Sequence, residues 1–475
     1  MGSYREEKDI LGVVSVPAEA LYGIFTKRAL DNFMISGLRI DWEFIKTLAQ
    51  IKKAAALANN ELGLLDDELC EAIGRAADEV ISGRHEGEFP LDVFQAGAGT
   101  PWNMNMNEVL ANRANQILGA ALGEYRPVHP NDHVNMAQSS NDVIPNAIRI
   151  TALNLSDELM ERLKGLVEAL GEKASEFEDV RKSGRTHTQD AVPISLGREF
   201  RAYASAMAND AKRLEASRAE LRCIFLGGTA VGTGINTHPD YSVRVLRHLR
   251  DLTGLDLNLA GDFVEKTQFE SDFLGFMDAL AVISVDLVKI CNDLMLLSSG
   301  PRTGLGEISL PGVEPGSSIM PGKVNPSILE CVNMVCFQVM GSRAAVENAA
   351  KFGTLDLNVY TPVIAFNLFN SLKRLSNALH TLTEKAITGL EVNRQATDYY
   401  FDYSNAVATL LSPIIGYKRA AELAMEALRR GVKVRDLVVE KGLLSGEQID
   451  ELIEHSCQPN LHIVRKIIEK KEKER

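Results

Sequence analysis

Residues 199–222 read EFRAYASAMANDAKRLEASRAELR, and the spacing of apolar residues in this stretch decides the fold class. The apolar positions recur three or four residues apart, at Phe200, Tyr203, Met207, Ala211 and Leu214. That spacing follows one face of an α-helix, which has about 3.6 residues per turn. The stretch is therefore predicted to form one long helix.

The helical period recurs along most of the chain. Further long helices are predicted over residues 157–177, 271–299, 329–340 and 361–382. Residues 271–299 are apolar on most sides, as expected of a helix surrounded by other helices. No series of short β-branched strands with hairpin turns competes with these helices. We therefore predict a mainly all-α fold, a bundle of long helices with smaller N- and C-terminal domains.

The size, composition and charge of the chain indicate a multidomain globular protein. Its 475 residues suffice for about three domains, which we place at 1–140 (N-terminal, helical), 141–395 (central helix bundle) and 396–475 (small, helical). Apolar residues make up 45% and charged residues 24%, the balance of a globular protein. A net charge of −13 argues against a nucleic-acid partner, because such a surface needs a basic stripe.

Neither a secretory signal nor a membrane span is predicted. The N-terminal residues MGSYREEKD are charged where a signal peptide would be apolar. The apolar run GFMDALAVISVDLVKI carries Asp278, Asp286 and Lys289, which a membrane-spanning helix would avoid. We expect a cytosolic protein that acts in the cytoplasm without a membrane partner.

The cysteines and histidines predict no metal site. Six cysteines, too sparse for a disulfide framework in a chain of this size, are interpreted as core thiols. Cys331 and Cys336 have no matching Cys or His cluster, so a zinc site is not expected there. The chemistry is therefore expected to need no catalytic metal and no cofactor.

Polar clusters separate the long helices and are the places where a site is expected. Rigid helices commonly carry functional groups on the loops at their ends. Non-helical clusters rich in Gly, Ser, Thr and Asn are predicted at residues 96–107, 129–141, 183–193, 227–239 and 316–326.

The last of these clusters, GSSIMPGKVNP at residues 316–326, has the composition of an anion-binding loop. Gly and Pro bend the backbone so that successive N–H groups can face a carboxylate. Lys323 adds a positive charge, Asn325 adds a donor and an acceptor, and Ser317 or Ser318 could exchange a proton. Alone, such a loop is also compatible with an ordinary surface turn.

Five segments in order resemble the aspartase/fumarase superfamily. They are GSSIMPGKVNP and, before it, the patterns GAGTxxNMNxNEVLANR, NDHVNxxQSSND, GRTHxQDAVP and GGTAVGTGxNTHP. The resemblance covers nearly the whole chain, from EKDILG to GYKRAAELA. It implies a lyase that removes a group from a succinyl-type substrate and releases fumarate. It also implies a homotetramer whose active sites combine loops from three subunits.

The same resemblance implies roles for single residues. Ser317 would be the general base, with His187 as a second catalytic residue. The residues expected to bind the substrate are Thr100, Ser139, Ser140, Asn141, Thr186, Lys323 and Asn325. Glu330 resembles an acid that orients the histidine, although a solvated helix-face carboxylate is the alternative. Residues 139–141 could equally form a helix N-cap, and a capped helix N-terminus also attracts anions.

The chemistry explains these residue types. Removing a proton beside a carboxylate creates a doubly charged aci-carboxylate, which needs donors and a cation already aimed at it. A serine is a poor base at its normal acidity, so its alkoxide needs N–H groups and positive charge nearby.

The substrate is left open between an amino acid and a hydroxy acid. Aspartate ammonia-lyase is favoured by the N-terminal segment, by Val192 and by Ala98, where fumarases usually carry threonine and a substrate-binding serine, respectively. Fumarate hydratase is favoured by Ser140, where aspartases usually carry threonine. Unusual residues at Pro101, Trp102 and Asn146 leave a third option, a lyase for another amino acid or a substituted aspartate. A non-enzymatic, crystallin-like descendant is the alternative of a different class.

Overall fold

Long α-helices dominate the computed structural model, which describes residues 3–473. The helices are α1 Ile24–Asn32, α2 Trp42–Glu61, α3 Asp67–Ile81, α4 Thr100–Ile117, α5 Ser140–Glu176, α6 Leu196–Leu221, α7 Tyr241–Thr253, α8 Phe263–Gln268, α9 Ser271–Leu297, α10 Ser327–Lys351, α11 Thr361–Leu382, α12 Arg394–Tyr403, α13 Ala406–Ile415, α14 Tyr417–Arg430, α15 Val434–Glu440, α16 Gly446–Glu454 and α17 Leu461–Lys473. The strands are β1 Tyr4–Asp9, β2 Gly12–Pro17, β3 Arg181–Thr186, β4 Gln189–Ser195, β5 Cys223–Ile224, β6 Asn258–Leu259, β7 Ile308–Ser309 and β8 Glu391–Val392.

The mainly all-α prediction is confirmed, and the helices are longer than their apolar period indicated. Helix α5 starts at Ser140 rather than near residue 157, and α10 continues to Lys351 rather than ending near residue 340. The opening stretch corresponds to α6, with bounds shifted by one to three residues. Polar residues that extend a helix carry no apolar period, so the period alone underestimates helix length.

The prediction that residues 96–107 are non-helical is wrong from Thr100 onward, where α4 begins. Gly99, at φ 65°, is the residue before the helix, and Pro101 lies in its first turn, where a missing N–H costs nothing. The asparagines that made this segment look like a loop are held by tertiary contacts. The Asn105 amide, for example, donates to the carbonyl oxygen of Glu88 at 2.9 Å.

Short strands form four two-stranded sheets in the described chain, which the sequence did not predict. The hairpin β3–β4 is antiparallel and pairs Arg181 with Ser195 at one end and Thr186 with Gln189 at the other. The two-residue strands β5 and β6 are parallel, whereas β7 and β8 are antiparallel. Strands of two residues are too short to show an alternating pattern, so they leave no readable signal in the sequence.

The chain divides into two compact units. The first contains the chain up to Glu161 with Asp210–Ser284 and Val335–Ser376, and the second contains Arg162–Asn209, Val285–Met334 and the chain from Asn377. In the first unit, α2 packs against α3, α4 and α7. Fully buried apolar residues of this unit include Phe44, Leu48, Met106, Leu110 and Leu249.

The second unit has an apolar core among its C-terminal helices. Buried members of this core include Leu411, Leu437, Ile449 and Leu452. Helix α16 starts with a capping box, in which Ser445 and Gln448 each bond to the backbone N–H of the other. The division into domains at residues 140 and 395 stays a prediction.

Three further findings concern the whole described chain. No helix within residues 3–473 is long and apolar enough to cross a membrane. Over the same residues, no group of three or more His, Cys, Asp and Glu side chains could hold a metal ion. None of the six cysteines forms a disulfide within the described chain, but the interpretation as core thiols is wrong for Cys331, which is exposed on α10. Cys331 lies in an apolar stretch of sequence, which does not reveal the face it occupies.

Candidate active site

The N-termini of α4 and α5 lie side by side in the first unit. The hydroxyl oxygens of Thr100 and Ser140 are 2.9 Å apart, close enough for either to donate to the other. A helix N-terminus presents unpaired backbone N–H groups and a partial positive charge to an anion. Two such ends carrying hydroxyl groups form a half-site suited to a carboxylate and to a polar leaving group.

Residues 139–141 also form the N-terminal cap of α5, so a capping role and a substrate-binding role are compatible for this segment. The Ser139 hydroxyl accepts from the Asn141 N–H at 3.3 Å, and the Ser139 N–H donates to the Asp142 carboxylate at 2.9 Å. The Asn141 side-chain N–H donates to the Ala230 carbonyl at 2.8 Å. The side-chain oxygen of Asn141 takes no part in this bond. The three residues are half-buried.

Asp142 organises this half-site although the sequence had not singled it out. Its carboxylate is fully buried and also accepts from the N–H groups of Gly227 and Thr229, each at 3.0 Å. Burial raises the pKa of Asp142 to about 6, although the three N–H groups lower it. Thr229 has φ 56°, so this bond holds the GGTAVGTG loop in an unusual backbone conformation. A lone aspartate at a helix start usually indicates only a cap, which is why the sequence gave no stronger signal.

The residues suspected of setting specificity lie mostly in the interior. Trp102 is 2% exposed and packs edge-on against Phe44, with 5.2 Å between ring centroids. Asn146 is fully buried; its amide donates to the Asp142 carbonyl, and its oxygen accepts from the Phe225 N–H. Asn146 therefore connects α5 to the residue that follows β5, and both of its polar side-chain atoms bond to the backbone.

The GSSIMPGKVNP loop, in the second unit, is closed at its base. The Gly316 N–H donates to the Lys323 carbonyl at 2.8 Å, and the Asn325 amide donates to the Gly316 carbonyl at 2.8 Å. A Cβ on Gly316 would lie 2.6 Å from the Lys323 oxygen, so only glycine permits this closure. Apolar side chains at the tip are exposed, with Ile319 at 82% and Met320 at 48%.

Ser317 is the one serine of the pair whose side chain is engaged by the described loop. Its Oγ accepts from the N–H groups of Ile319 and Met320 at 3.1 and 3.0 Å. Backbone N–H groups that point at a hydroxyl oxygen favour its deprotonated form, because the bonds strengthen when the oxygen becomes negative. No hydrogen bond of the Ser318 side chain occurs within residues 3–473. The geometry thus distinguishes Ser317, the serine that the resemblance favoured, from its neighbour.

Thr186 and His187 lie at the exposed tip of the β3–β4 hairpin, in the second unit. Since Thr186 pairs with Gln189, the turn consists of His187 and Thr188, whose φ angles are 54° and 59°. Positive φ at both residues belongs to a type I′ turn, which favours Asn and Gly. Each non-glycine residue there costs about 1–2 kcal/mol. Strain of this kind at an exposed position points to selection for the side chain rather than for stability.

A buried ion network supports the same hairpin. Arg185 forms two hydrogen bonds with Glu307, at 2.7 and 3.1 Å, and the Glu307 side chain is fully buried. Lys182 lies 3.3 Å from Glu307 and 2.9 Å from Glu199. Burial raises the pKa of Glu199 in spite of the adjacent lysine. The network fixes the strand that ends at Thr186 to the segment that leads into β7.

The remaining predicted residues are exposed in the described chain. Lys323 lies on the outer part of its loop, and Glu330 lies in the first turn of α10. No hydrogen bond within residues 3–473 joins His187 to Glu330 or to the loop. The structure therefore brings together Thr100 with residues 139–141 in one unit, and Ser317 with Asn325 in the other. Sequence reasoning missed Asp142, Lys182, Arg185 and Glu307.

Comparisons with known proteins identify the family of this chain. A family model described as lyase matches residues 12–341, and one described as fumarase C C-terminus matches residues 407–456. The chain belongs to the aspartase/fumarase superfamily. Aspartate ammonia-lyase of Bacillus sp. is 45% identical over 449 residues, which are 94% of this chain and 96% of that protein. Fumarate hydratase class II of Halobacterium salinarum is 47% identical over 452 residues, which are 95% of this chain and 96% of that protein.

A solved structure of this superfamily has the same fold. The structure described as fumarate lyase:delta crystallin from Brucella melitensis bound to cobalt has a TM-score of 0.93 and 44% sequence identity. The match covers 96% of this chain and all of that one. Family membership identifies a lyase, but the relatives include both ammonia-lyases and hydratases at similar identity.

Proposed function

We propose that this lyase converts L-aspartate to fumarate and ammonia. The observation that carries the choice of substrate is Ala98, which lies buried just ahead of α4. Fumarases usually place a substrate-binding serine there, and a methyl group cannot hydrogen-bond a water molecule or a hydroxyl leaving group. The Ala98 N–H donates to the Val359 carbonyl at 2.8 Å, so its backbone donor is also occupied.

Proton removal is assigned to Ser317. Its alkoxide, stabilised by the N–H groups of Ile319 and Met320, takes a proton from Cβ of aspartate. The C–H electron pair moves into the adjacent carboxylate and forms the aci-carboxylate, whose charge Lys323 stabilises. The pair then returns to form the carbon–carbon double bond, the C–N bond breaks, and ammonia leaves. A base held by loop N–H groups is the arrangement that such an elimination requires.

Substrate binding is assigned to the other residues of the two half-sites. Asn325, Thr186 and His187 would bind the carboxylate that becomes the aci-carboxylate, and Glu330 would orient His187. Thr100 and residues 139–141 would bind the second carboxylate and the amino group. The hydroxyl pair of Thr100 and Ser140 suits this task, because one oxygen of the pair is always available to accept from an ammonium group.

We propose a homotetramer with composite active sites that works in the cytoplasm. Apolar side chains on α9 and α10 are exposed, and these helices need a partner surface. They include Val285 at 53%, Leu296 at 48%, Met334 at 65% and Phe337 at 56%. A second copy of the chain is the partner that the superfamily resemblance favours.

Fumarate hydratase is the second candidate, and Ser140 is the observation in its favour. The tripeptide Ser139-Ser140-Asn141 is the form usual in fumarases, while aspartases usually carry threonine at the middle position. A lyase for a larger amine has less support, because Trp102 is packed in the core rather than lining an open pocket.

The test is to incubate the protein with L-aspartate and with L-malate and to follow the absorbance of fumarate. We expect turnover of aspartate. Turnover of malate alone would refute the ammonia-lyase, and turnover of neither would refute both candidates.

The role of Ser317 has a matched control in the next residue. Ser317→Ala is expected to lower kcat by about 10²–10⁴-fold, because a general base acts in the transition state, while fumarate still binds. Ser318→Ala removes the same atom from an exposed neighbour and should keep kcat within a few fold. Equal activity of the two variants would contradict the assignment.

A further inference from the structure

Lys52 is a fully buried lysine in the first unit, on the face of α2 that points into the core. Its ammonium group donates to three side-chain amide oxygens, those of Asn103 at 2.7 Å, Asn135 at 2.9 Å and Gln138 at 2.9 Å. An ammonium group has three N–H donors, so these acceptors satisfy it completely. The adjacent Lys53 instead forms an ion pair with Asp78 at 2.7 Å and is partly exposed.

The three amides form a closed network around the ammonium group. The Asn103 amide donates to the Asn135 oxygen at 3.2 Å, and the Asn135 amide donates to the Gln138 carbonyl at 3.2 Å. The Gln138 amide donates to the carbonyls of Val134 and Met136. Each amide thus turns its oxygen to Lys52 and its nitrogen to another acceptor, which fixes its orientation.

Two residues of the network lie close in the chain to residues of the candidate half-site. Asn103 lies one helical turn after Thr100 in α4. Gln138 immediately precedes Ser139, whose carbonyl accepts from the N–H groups of Asp142 and Val143 at the start of α5. Lys52 therefore connects the two helix starts whose hydroxyl groups meet at 2.9 Å.

Asp142 is the charged group that faces Lys52. Burial lowers the pKa of Lys52 to about 7, and the charge of Asp142 opposes that shift. Burying two opposite charges in the core costs desolvation energy. A protein with apolar residues of similar volume in their place is often at least as stable. Stability therefore does not explain why the Lys52 ammonium group is buried here. Each of its three hydrogen bonds is to a segment that carries candidate substrate contacts.

We propose that Lys52 is a positioning residue that sets the distance between Thr100 and residues 139–141, and so the fit of the substrate in this half of the site. The inference rests on the proposed function for the identity of those contacts. It concerns binding on the side of the leaving group, and it assigns no proton transfer to Lys52. A neutral side chain of similar length would leave the Asn103 and Gln138 oxygens without this donor and the Asn135 oxygen with only the Asn103 amide, which frees the amides to rotate.

The experiment compares Lys52→Met with Lys53→Met, which removes a charge from the next position of the same helix. For Lys52→Met we expect KM for the substrate to rise at least about 10-fold and the Kd of fumarate, measured by calorimetry, to rise in parallel, with a smaller change in kcat. Lys53→Met should leave all three constants within about twofold. Lys52→Gln, which keeps two N–H donors, should recover part of the loss.

Two results would overturn the inference. One is a folded Lys52→Met protein whose KM and fumarate Kd match those of Lys53→Met. The other is a loss confined to kcat. If Lys52→Met does not fold, the test uses Gln138→Ala instead. This variant removes one of the three acceptors of the Lys52 ammonium group and leaves the other two. An unchanged KM in Gln138→Ala would then contradict the role of Lys52. Fumarate is common to both candidate reactions, so a wild-type protein that acts on malate alone would refute the ammonia-lyase without affecting this test.

Discussion

Replacing Glu307 by Gln tests how strongly the buried ion network holds the β3–β4 hairpin. Glu307 has no exposed side-chain surface, while Arg185 keeps 15% and Lys182 keeps 2%. Glutamine has nearly the same shape, but it loses the negative charge and turns N–H donors toward two cations. The cations then have only Glu199 as a carboxylate partner in this network.

The magnitude follows from burial. Breaking a buried ion pair by changing one partner costs about 3–5 kcal/mol. With an unfolding entropy of about 2.1 cal/mol/K per residue, a chain of 475 residues loses about 1 °C of Tm per kcal/mol. Glu307→Gln should therefore lower Tm by about 3–5 °C. We also expect a fall in kcat/KM at temperatures well below Tm, because Arg185 directly precedes Thr186.

The control is Glu178→Gln in the same unit. Glu178 and Arg201 are also 2.7 Å apart, but their side chains are 53% and 55% exposed. A surface pair of this kind contributes about 0–1 kcal/mol, so Tm should fall by at most about 1 °C. Tm would be measured by calorimetry at one protein concentration, with activity assayed on the same samples. Equal shifts in Tm for the two variants would refute the argument from burial.

Two more predictions concern the loop and the response to acid. Gly316→Ala should lower kcat/KM at least about 10-fold, since its Cβ would meet the Lys323 oxygen at 2.6 Å, whereas Gly312→Ala, with its nearest atom at 3.9 Å, should be close to neutral in the fumarate assay. The hydrogen bond from Arg113 lowers the pKa of Glu79 to about 2. Its contribution to stability, at most about 3 kcal/mol, is present above about pH 4.5 and is lost as pH falls toward 2, so Glu79→Gln should flatten the decline of Tm over that window.

Most of the fold could be predicted from the sequence because long helices repeat their apolar period many times. The helix over residues 361–382 was predicted with the bounds that α11 has. Helix α4 could not be found in this way, because its buried asparagines have low helix propensity and are held by contacts with distant segments. Propensity describes a residue and its neighbours in sequence, whereas those contacts depend on the tertiary fold.

The residues of the candidate site could be predicted where the family resemblance supplied them. Contacts that depend on the folded geometry could be predicted less well. The resemblance favoured Ser317 over Ser318, but that its hydroxyl oxygen accepts two N–H groups is seen only in the folded loop. Lys52 could not be distinguished from Lys53, because either lysine can lie on the apolar side of a helix by its stem alone. The assignment of roles to the predicted site residues stays a prediction until the variants are assayed.

The turn at His187 and Thr188 has a consequence for engineering this enzyme. A selection for thermostability, or a design method that rewards favourable backbone angles, will introduce Asn and Gly at these two positions, because they relieve the left-handed conformation. Such a variant would melt at a higher temperature and would lack the imidazole. Under the role proposed for His187, position 187 should therefore be held fixed in any stabilised library.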